Sequence, residues 1–128
     1  MQDTVHNNMA KFAYEKVWDA RKNNKEFRSL ARSFPSTIQV NGLGAAVAFL
    51  LSKTSSDAHK KMYELLDVWT KNKFCPKSEE ALMERIVHME SGAYRIYTDE
   101  IMNLCLWIKR FAEGMIDSGL EDKKKNAG

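Results

Sequence analysis

The sequence has few residues that interrupt regular structure, since its 128 residues include only two prolines and six glycines. A β-sandwich needs turn residues roughly every 8–12 positions, so this scarcity argues against an all-β fold. Two cysteines, Cys75 and Cys105, are too few and too isolated for a disulfide framework or a zinc site. The longest apolar run falls short of the ~20 residues that span a bilayer, and the N-terminus lacks a signal-peptide pattern. We therefore expect a cytoplasmic protein without a membrane anchor.

What the sequence does contain is long stretches of helical periodicity, which predict an all-α fold: a compact single-domain bundle of about six helices. Pro35 falls inside the second stretch and predicts a kink or a break there. Ser55 or Ser56 and Ser78 are the predicted N-caps of the fourth and fifth helices. The bundle is predicted to fill residues 1–118 and to end at Ser118-Gly119, with residues 119–128 forming a frayed charged tail. The predicted helices cover about residues 3–22, 25–41, 43–52, 55–71, 79–90 and 94–118.

The stretch PSTIQVNGLGAAVAFLLSK, residues 35–53, combines contradictory signals. Asn41-Gly42 is typical of a hairpin turn, but neither flank has the alternating pattern of a strand. Gly42 and Gly44 resemble a phosphate-binding loop, but the preceding strand and the following Lys-Ser/Thr are missing. We therefore interpret Gly42 as the left-handed stop of one helix. The apolar segment 43–52 that follows is predicted to be a short buried central helix.

Catalytic chemistry finds little support in the sequence. His6 and His59 lie on separate predicted helices with no nucleophile motif nearby. Glu84 and His88 share a helix face, but their spacing fits neither a zinc protease nor a di-iron bundle. We predict no catalytic residue, no metal site and no cofactor.

Positive charge is concentrated in the first half of the chain. The first 61 residues hold 10 Lys/Arg against 5 Asp/Glu, whereas the remaining residues hold 10 Lys/Arg against 12 Asp/Glu. The whole chain has a formal net charge of +3. Arg21, Lys25, Arg28 and Arg32 recur every three or four residues and, with Lys16, predict a strip that contacts a phosphate backbone. A solvated helix face explains the same charges and stays open as the alternative.

Two blocks of residues provide a more specific pattern. The first is Pro35-x-x-Ile38-x-x-Asn41-Gly42-Leu43, followed by Ala46-x-Ala48-Phe49-Leu50 and Ser52-Lys53. The second is Tyr94-Arg95 with Thr98-x-Glu100, then Leu104-x-x-Trp107-x-Lys109-Arg110-Phe111-Ala112. With these blocks, and in its length and helix order, the chain resembles the small all-helical subunit of the type III-B (Cmr) CRISPR RNA-guided effector complex.

The resemblance implies a non-catalytic structural subunit in antiviral defence. Copies of such a subunit stack into a minor filament beside the backbone filament that holds the guide RNA. The implied partners are the large subunit, the backbone subunits, further copies of itself and guide or target RNA, without a membrane or small-molecule substrate. By resemblance, Lys53, Lys109 and Arg110 join the candidate RNA-binding residues. The alternative that Lys53 caps a helix C-terminus, and that Lys109 and Arg110 are solvated charges beside the apolar stripe, stays open.

Two function classes besides this one stay open from the sequence. One is a stand-alone helical adaptor that binds a protein partner through exposed Trp or Met residues. The other is an uncharacterised RNA nuclease. The acidic second half of the chain also leaves open which face meets RNA and which meets neighbouring subunits.

Overall fold

The fold is known from a computed structural model that describes residues 5–22, 24–53 and 55–117. Within these ranges the chain forms six α-helices and no strand, which confirms the predicted all-α bundle. The last helix ends at Met115 with Ile116 as its C-cap, so the predicted end at Ser118-Gly119 is wrong, and the predicted charged tail lies outside the described residues. The helices are α1 (Val5–Ala20), α2 (Lys25–Asn41), α3 (Leu43–Ser52), α4 (Asp57–Phe74), α5 (Leu82–His88) and α6 (Ser91–Met115).

The 25-residue helix α6 is the longest element, and α1 and α2 pack along it. Its periodic apolar stripe supplies the buried side chains of Tyr97, Ile101, Leu104 and Ile108, as the sequence predicts. At the ends of the same stripe, Tyr94, Phe111 and Met115 are only partly buried. The helix with the strongest periodicity in the sequence is therefore the one along which α1 and α2 pack.

Helix α2 passes through Pro35 without interruption, so the predicted break is wrong. Proline removes one backbone hydrogen bond and disfavours helical geometry in the residue before it. Here Phe34 is 1% exposed and Pro35 is also buried, as are Phe27 and Ile38 on the same helix. Burial of these side chains offsets the local cost, because a buried aromatic or Ile side chain contributes about 2–3 kcal/mol. The predicted kink stays a prediction.

A sharp corner at Gly42 joins α2 to α3, as predicted. Gly42 has φ +87° and ψ 161°, a region of backbone conformation that is essentially confined to glycine. Its N–H donates to the Ile38 carbonyl at 2.8 Å and its carbonyl accepts from the Ala46 N–H at 3.1 Å. One residue thus closes α2 and opens α3.

Helix α3 is buried along one face only, through Leu43, Ala46, Val47 and Leu50. Phe49 on its outer side is 38% exposed, so the prediction that this helix is buried is confirmed for one face only. The helix packs against α2, α4 and α5 and lies beside the core formed by α1, α2 and α6.

The side chain of Tyr94 joins the two sequence blocks. The first-turn N–H of Gly44 in α3 donates to the Tyr94 hydroxyl of α6 at 2.9 Å. This N–H has no partner within its own helix, so the hydroxyl satisfies a group that would otherwise be unpaired. The hydrogen bond fixes the start of α3 against the start of α6.

Replacing Tyr94 with phenylalanine is expected to lower the free energy of unfolding by about 1–2 kcal/mol, because it leaves the Gly44 N–H unsatisfied. Urea denaturation measures the change. Tyr14→Phe is the matched control, since Tyr14 is an exposed tyrosine of α1 and its loss of a hydroxyl should change stability by less than about 0.5 kcal/mol. Equal effects of the two variants would contradict the capping role of Tyr94.

Helix α4 begins as predicted, since the Ser56 hydroxyl accepts a hydrogen bond from the His59 N–H at 3.3 Å. It continues to Phe74, three residues beyond the predicted end. Helix α5 begins at Leu82, so the prediction that Ser78 caps it is wrong. Instead, the Ser78 hydroxyl accepts from the Glu80 N–H at 3.1 Å within the preceding loop.

A buried polar cluster around Arg85 holds that loop and accounts for the late start of α5. The guanidinium, 6% exposed, forms an ion pair with Asp67 and donates to the Tyr97 hydroxyl at 2.9 Å. Its Nε donates to the Glu80 carbonyl at 3.2 Å, which fixes the loop before the helix. Burial lowers the pKa of Arg85, but the hydrogen bonds to Tyr97 and Asp67 outweigh it, so that the pKa lies above its ordinary value.

Candidate nucleic-acid interface

Five helix termini meet at one end of the bundle. Glu26 at the start of α2 accepts a hydrogen bond from the hydroxyl of Ser56 at 2.9 Å, so the α3–α4 connection lies beside the α1–α2 connection. The ion pair between Arg32 Nε and Glu113 Oε2, at 3.3 Å, brings the last turn of α6 to the first turns of α2. We call this region the basic end, because the predicted RNA-binding residues Arg21, Lys25, Arg32 and Lys53 lie there, whereas Lys109 and Arg110 precede the end of α6 by more than one turn.

Lys25 and Lys53 are both exposed at the basic end, although 27 positions separate them in the sequence. After Gly42, α3 packs against α2, and the connection that follows Lys53 reaches the start of α2, where the Ser56 hydroxyl donates to Glu26. The Lys53 ammonium lies 5.7 Å from the Phe49 ring centroid, a cation–π contact at the rim of the surface.

Arg28 does not belong to this surface. It is 8% exposed, and its Nη2 donates to the Glu113 carbonyl at 3.4 Å, so its side chain is directed at α6. Arg28 is therefore not among the exposed cations of this surface, and its predicted contact with RNA stays a prediction. Arg32, one turn further along α2, keeps an exposed guanidinium that pairs with the Glu113 carboxylate.

The remaining predicted residues differ in exposure. Arg110 is exposed on α6, where it lies beside Trp107, whereas Lys109 is half-buried. Lys16 is half-buried on α1, about one turn before the basic end, with its ammonium 5.4 Å from the Phe12 ring centroid. That these residues contact RNA stays a prediction.

Acidic residues moderate the positive charge of the basic end. Asp57 forms an exposed i,i+4 ion pair with Lys61 at 3.4 Å, and Glu113 pairs with Arg32. Exposed pairs of this kind contribute little to stability and are screened by salt. The cations that project into solvent at Lys25 and Lys53 are therefore the main electrostatic feature of this surface.

A row of four aromatic rings crosses from α6 to α1 and was not predicted as a site. Trp107 stacks on Phe111 at 5.7 Å between ring centroids, Phe111 meets Tyr14 edge-on at 5.5 Å, and Tyr14 stacks on Trp18 at 6.2 Å. We call these four residues the aromatic row. The i,i+4 spacing of both stacked pairs is a signal in the sequence, but such spacing is also typical of residues that pack a helix into a core.

Arg21 extends the aromatic row at its α1 end. Its guanidinium carbon lies 3.4 Å from the centroid of the Trp18 ring, and Nη1 donates to the Trp18 carbonyl at 2.7 Å. The guanidinium is thus held over the indole with most of its five N–H donors directed elsewhere.

The described residues contain no group of three or more His, Cys, Asp or Glu side chains that could hold a metal ion. None of the helices in the described ranges is long and apolar enough to cross a membrane. Burial raises the pKa of the Cys105 thiol, which is fully enclosed in the core.

Comparisons with known proteins agree with this fold and with the two sequence blocks. A sequence model of the CRISPR-associated protein family Cas_Cmr5 matches residues 5–115. The CRISPR system Cmr subunit Cmr5 of Thermus thermophilus is 32% identical over 110 residues, which cover 84% of this chain and 92% of that protein. The crystal structure of a CRISPR-associated Cmr5 family protein from the same organism superposes with a TM-score of 0.76 at 30% identity, covering 90% of this chain and 100% of the other. The chain therefore belongs to the Cas_Cmr5 family and is a Cmr subunit of a type III-B CRISPR complex.

Proposed function

We propose that this subunit is a non-catalytic structural component that contacts the backbone of guide or target RNA through its basic end. The observation that carries the proposal is that exposed Lys25 and Lys53, from distant parts of the sequence, lie at one end of the bundle, where the Ser56 hydroxyl donates to Glu26. Membership of the Cas_Cmr5 family supports a place in an RNA-guided assembly.

The chemistry of the basic end suits backbone contact. Lysine ammonium groups are strongly hydrated point charges on flexible chains, so they bind phosphates without reading bases. Affinity from such contacts arises largely from counterion release and falls as the salt concentration rises. We therefore expect binding by the basic end to depend on ionic strength and to tolerate any RNA sequence.

We further propose that the other surfaces of the bundle meet protein partners, namely further copies of this chain and the other Cmr subunits. The proposal is supported by the membership of the Cas_Cmr5 family and by apolar side chains that stay exposed away from the basic end, such as Ile96 at 57% and Val87 at 63%. Stacked copies would present their basic ends to one continuous RNA strand.

The double variant Lys25→Gln, Lys53→Gln tests the RNA contact in the complex reconstituted with the other Cmr subunits. Each side chain lost from a phosphate lowers the slope of log affinity against log salt by about 0.7 for single-stranded nucleic acid. We expect the slope for target RNA to fall in magnitude by about 1.4 per subunit engaged, as measured by fluorescence anisotropy between about 50 and 300 mM salt.

The control is Lys77→Gln, Arg95→Gln, which removes the same charge from exposed residues at the opposite end of the bundle. It should leave the slope unchanged. Equal slopes for the wild-type complex and the Lys25, Lys53 variant would contradict the proposed role of the basic end, as would an equal effect of the two double variants.

A further inference from the structure

We propose that the aromatic row is a stacking platform for unpaired bases of single-stranded RNA. This inference rests on the proposed RNA contact and adds a second kind of interaction to it. Tyr14 and Trp18 are each 46% exposed on α1, and their rings are nearly parallel, with 10° between the planes. Trp107 and Phe111 support them from α6. Large flat rings held in a fixed orientation at the surface are the feature on which bases stack in proteins that bind single strands.

Arg21 shows that the indole of Trp18 accepts a planar group. Its guanidinium carbon lies 3.4 Å from the ring centroid, which is the contact distance of stacked π systems. Only one guanidinium N–H is used by the Trp18 carbonyl, at 2.7 Å. A guanidinium fixed in this way can donate two hydrogen bonds to a phosphate group. The neighbouring base can then stack on the exposed part of the Tyr14–Trp18 pair.

Charge around the aromatic row favours a nucleic acid over a protein segment. Arg21 stands at the Trp18 end and Arg110 lies beside Trp107 at the other end. The exposed acids Glu15 and Asp19 of α1 are flanked by exposed Lys11 and, just beyond the end of the helix, by exposed Lys22, so this stretch carries no net negative charge. A protein hot spot needs surrounding contacts that exclude water, whereas these flanking positions of α1 are charged and solvated.

The test compares two polyanions that differ in their bases. The full chain is titrated at about 50 mM salt into a fluorescein-labelled oligo(A) RNA of about 15 nucleotides and, separately, into labelled heparin, which has charge but no bases. Trp18→Ala is expected to weaken RNA binding about tenfold, the effect of one lost base–aromatic stack, and to leave heparin binding within about twofold of wild type. Trp18→Phe keeps a stacking ring and should restore most of the RNA affinity.

Tyr14→Ala provides a second variant of the row, with the same expected loss of RNA affinity. Ile96→Ala is the matched control, because it removes a large exposed side chain at the opposite end of α6 and should change neither affinity. Thermal unfolding of each variant verifies that the fold is retained.

Four outcomes would overturn the inference. The wild-type chain does not bind RNA, or Trp18→Ala and Tyr14→Ala bind RNA as tightly as wild type, or the variants lose equal affinity for RNA and heparin. In the fourth, Trp18→Ala keeps its RNA affinity but no longer assembles into the Cmr complex. The last outcome would assign the row to a protein partner. Failure here is distinguishable from failure of the proposed function, because the Lys25, Lys53 variant leaves the aromatic row intact and is judged on its salt slope.

Discussion

Replacing Arg85 with methionine is expected to lower the free energy of unfolding by about 3–5 kcal/mol, the largest effect that we predict for any single polar side chain. Methionine fills most of the same volume but removes a guanidinium that is 6% exposed. The change leaves the Asp67 carboxylate without its ion-pair partner and the Tyr97 hydroxyl without a donor at 2.9 Å. It also releases the Glu80 carbonyl, so the loop between α4 and α5 loses its link to the core.

Urea denaturation at neutral pH measures the effect of Arg85→Met. The double variant Arg85→Met, Asp67→Asn should recover part of the loss, because it no longer buries an unpaired carboxylate. The control is Lys61→Met, which removes a cation from the exposed pair with Asp57 and should cost less than about 1 kcal/mol. A loss in Arg85→Met no greater than that in Lys61→Met would contradict the structural role assigned to this cluster.

Replacing Gly42 with alanine is expected to lower the free energy of unfolding by about 1–3 kcal/mol, because its backbone lies in a region that side chains rarely adopt. Its φ is +87° and its ψ is 161°. An added Cβ would meet the Tyr94 hydroxyl at 3.5 Å, an ordinary contact, so the cost comes from the backbone and not from crowding.

Gly114→Ala is the control for Gly42→Ala. Gly114 lies in the last turn of α6, and an added Cβ there would meet nothing within 4 Å. Alanine favours a helix over glycine by about 1 kcal/mol, so Gly114→Ala should be neutral or stabilising. If both glycine variants changed stability equally in urea denaturation, the conformation at Gly42 would not be the cause.

The sequence predicted well those features that depend on local patterns. The apolar stripe of α6 repeats without interruption along the helix, and Gly42 follows an asparagine between two helical stretches. Both features could therefore be located without tertiary information. The break at Pro35 and the cap at Ser78 were predicted wrongly, because non-local contacts decide the structure at both positions. Buried neighbours hold α2 helical through Pro35, and the contact of Arg85 with Glu80 delays the start of α5.

The candidate site was predicted in outline only. Charge spacing found Arg21 and Lys25, but it could not show that Arg28 turns toward the end of α6, since that depends on the packing of α2 against α6. Lys53, Lys109 and Arg110 came from family resemblance. The position of Lys53 at the basic end depends on the packing of the α3–α4 connection against the start of α2, which is a non-local contact. Tyr14 and Trp18 have a spacing that is common in cores, so their exposure is evident only in the folded chain.

The central claim, that the basic end meets RNA in the assembled complex, is tested most directly by site-specific crosslinking. A photoreactive amino acid would replace Lys25, Lys53 or, as the control at the opposite end, Lys77, each of which is exposed. After irradiation of the complex with radiolabelled target RNA, we predict crosslinks from positions 25 and 53 and none from position 77. Crosslinks from position 77 with none from 25 and 53 would contradict the account and place the RNA at the other end of the bundle.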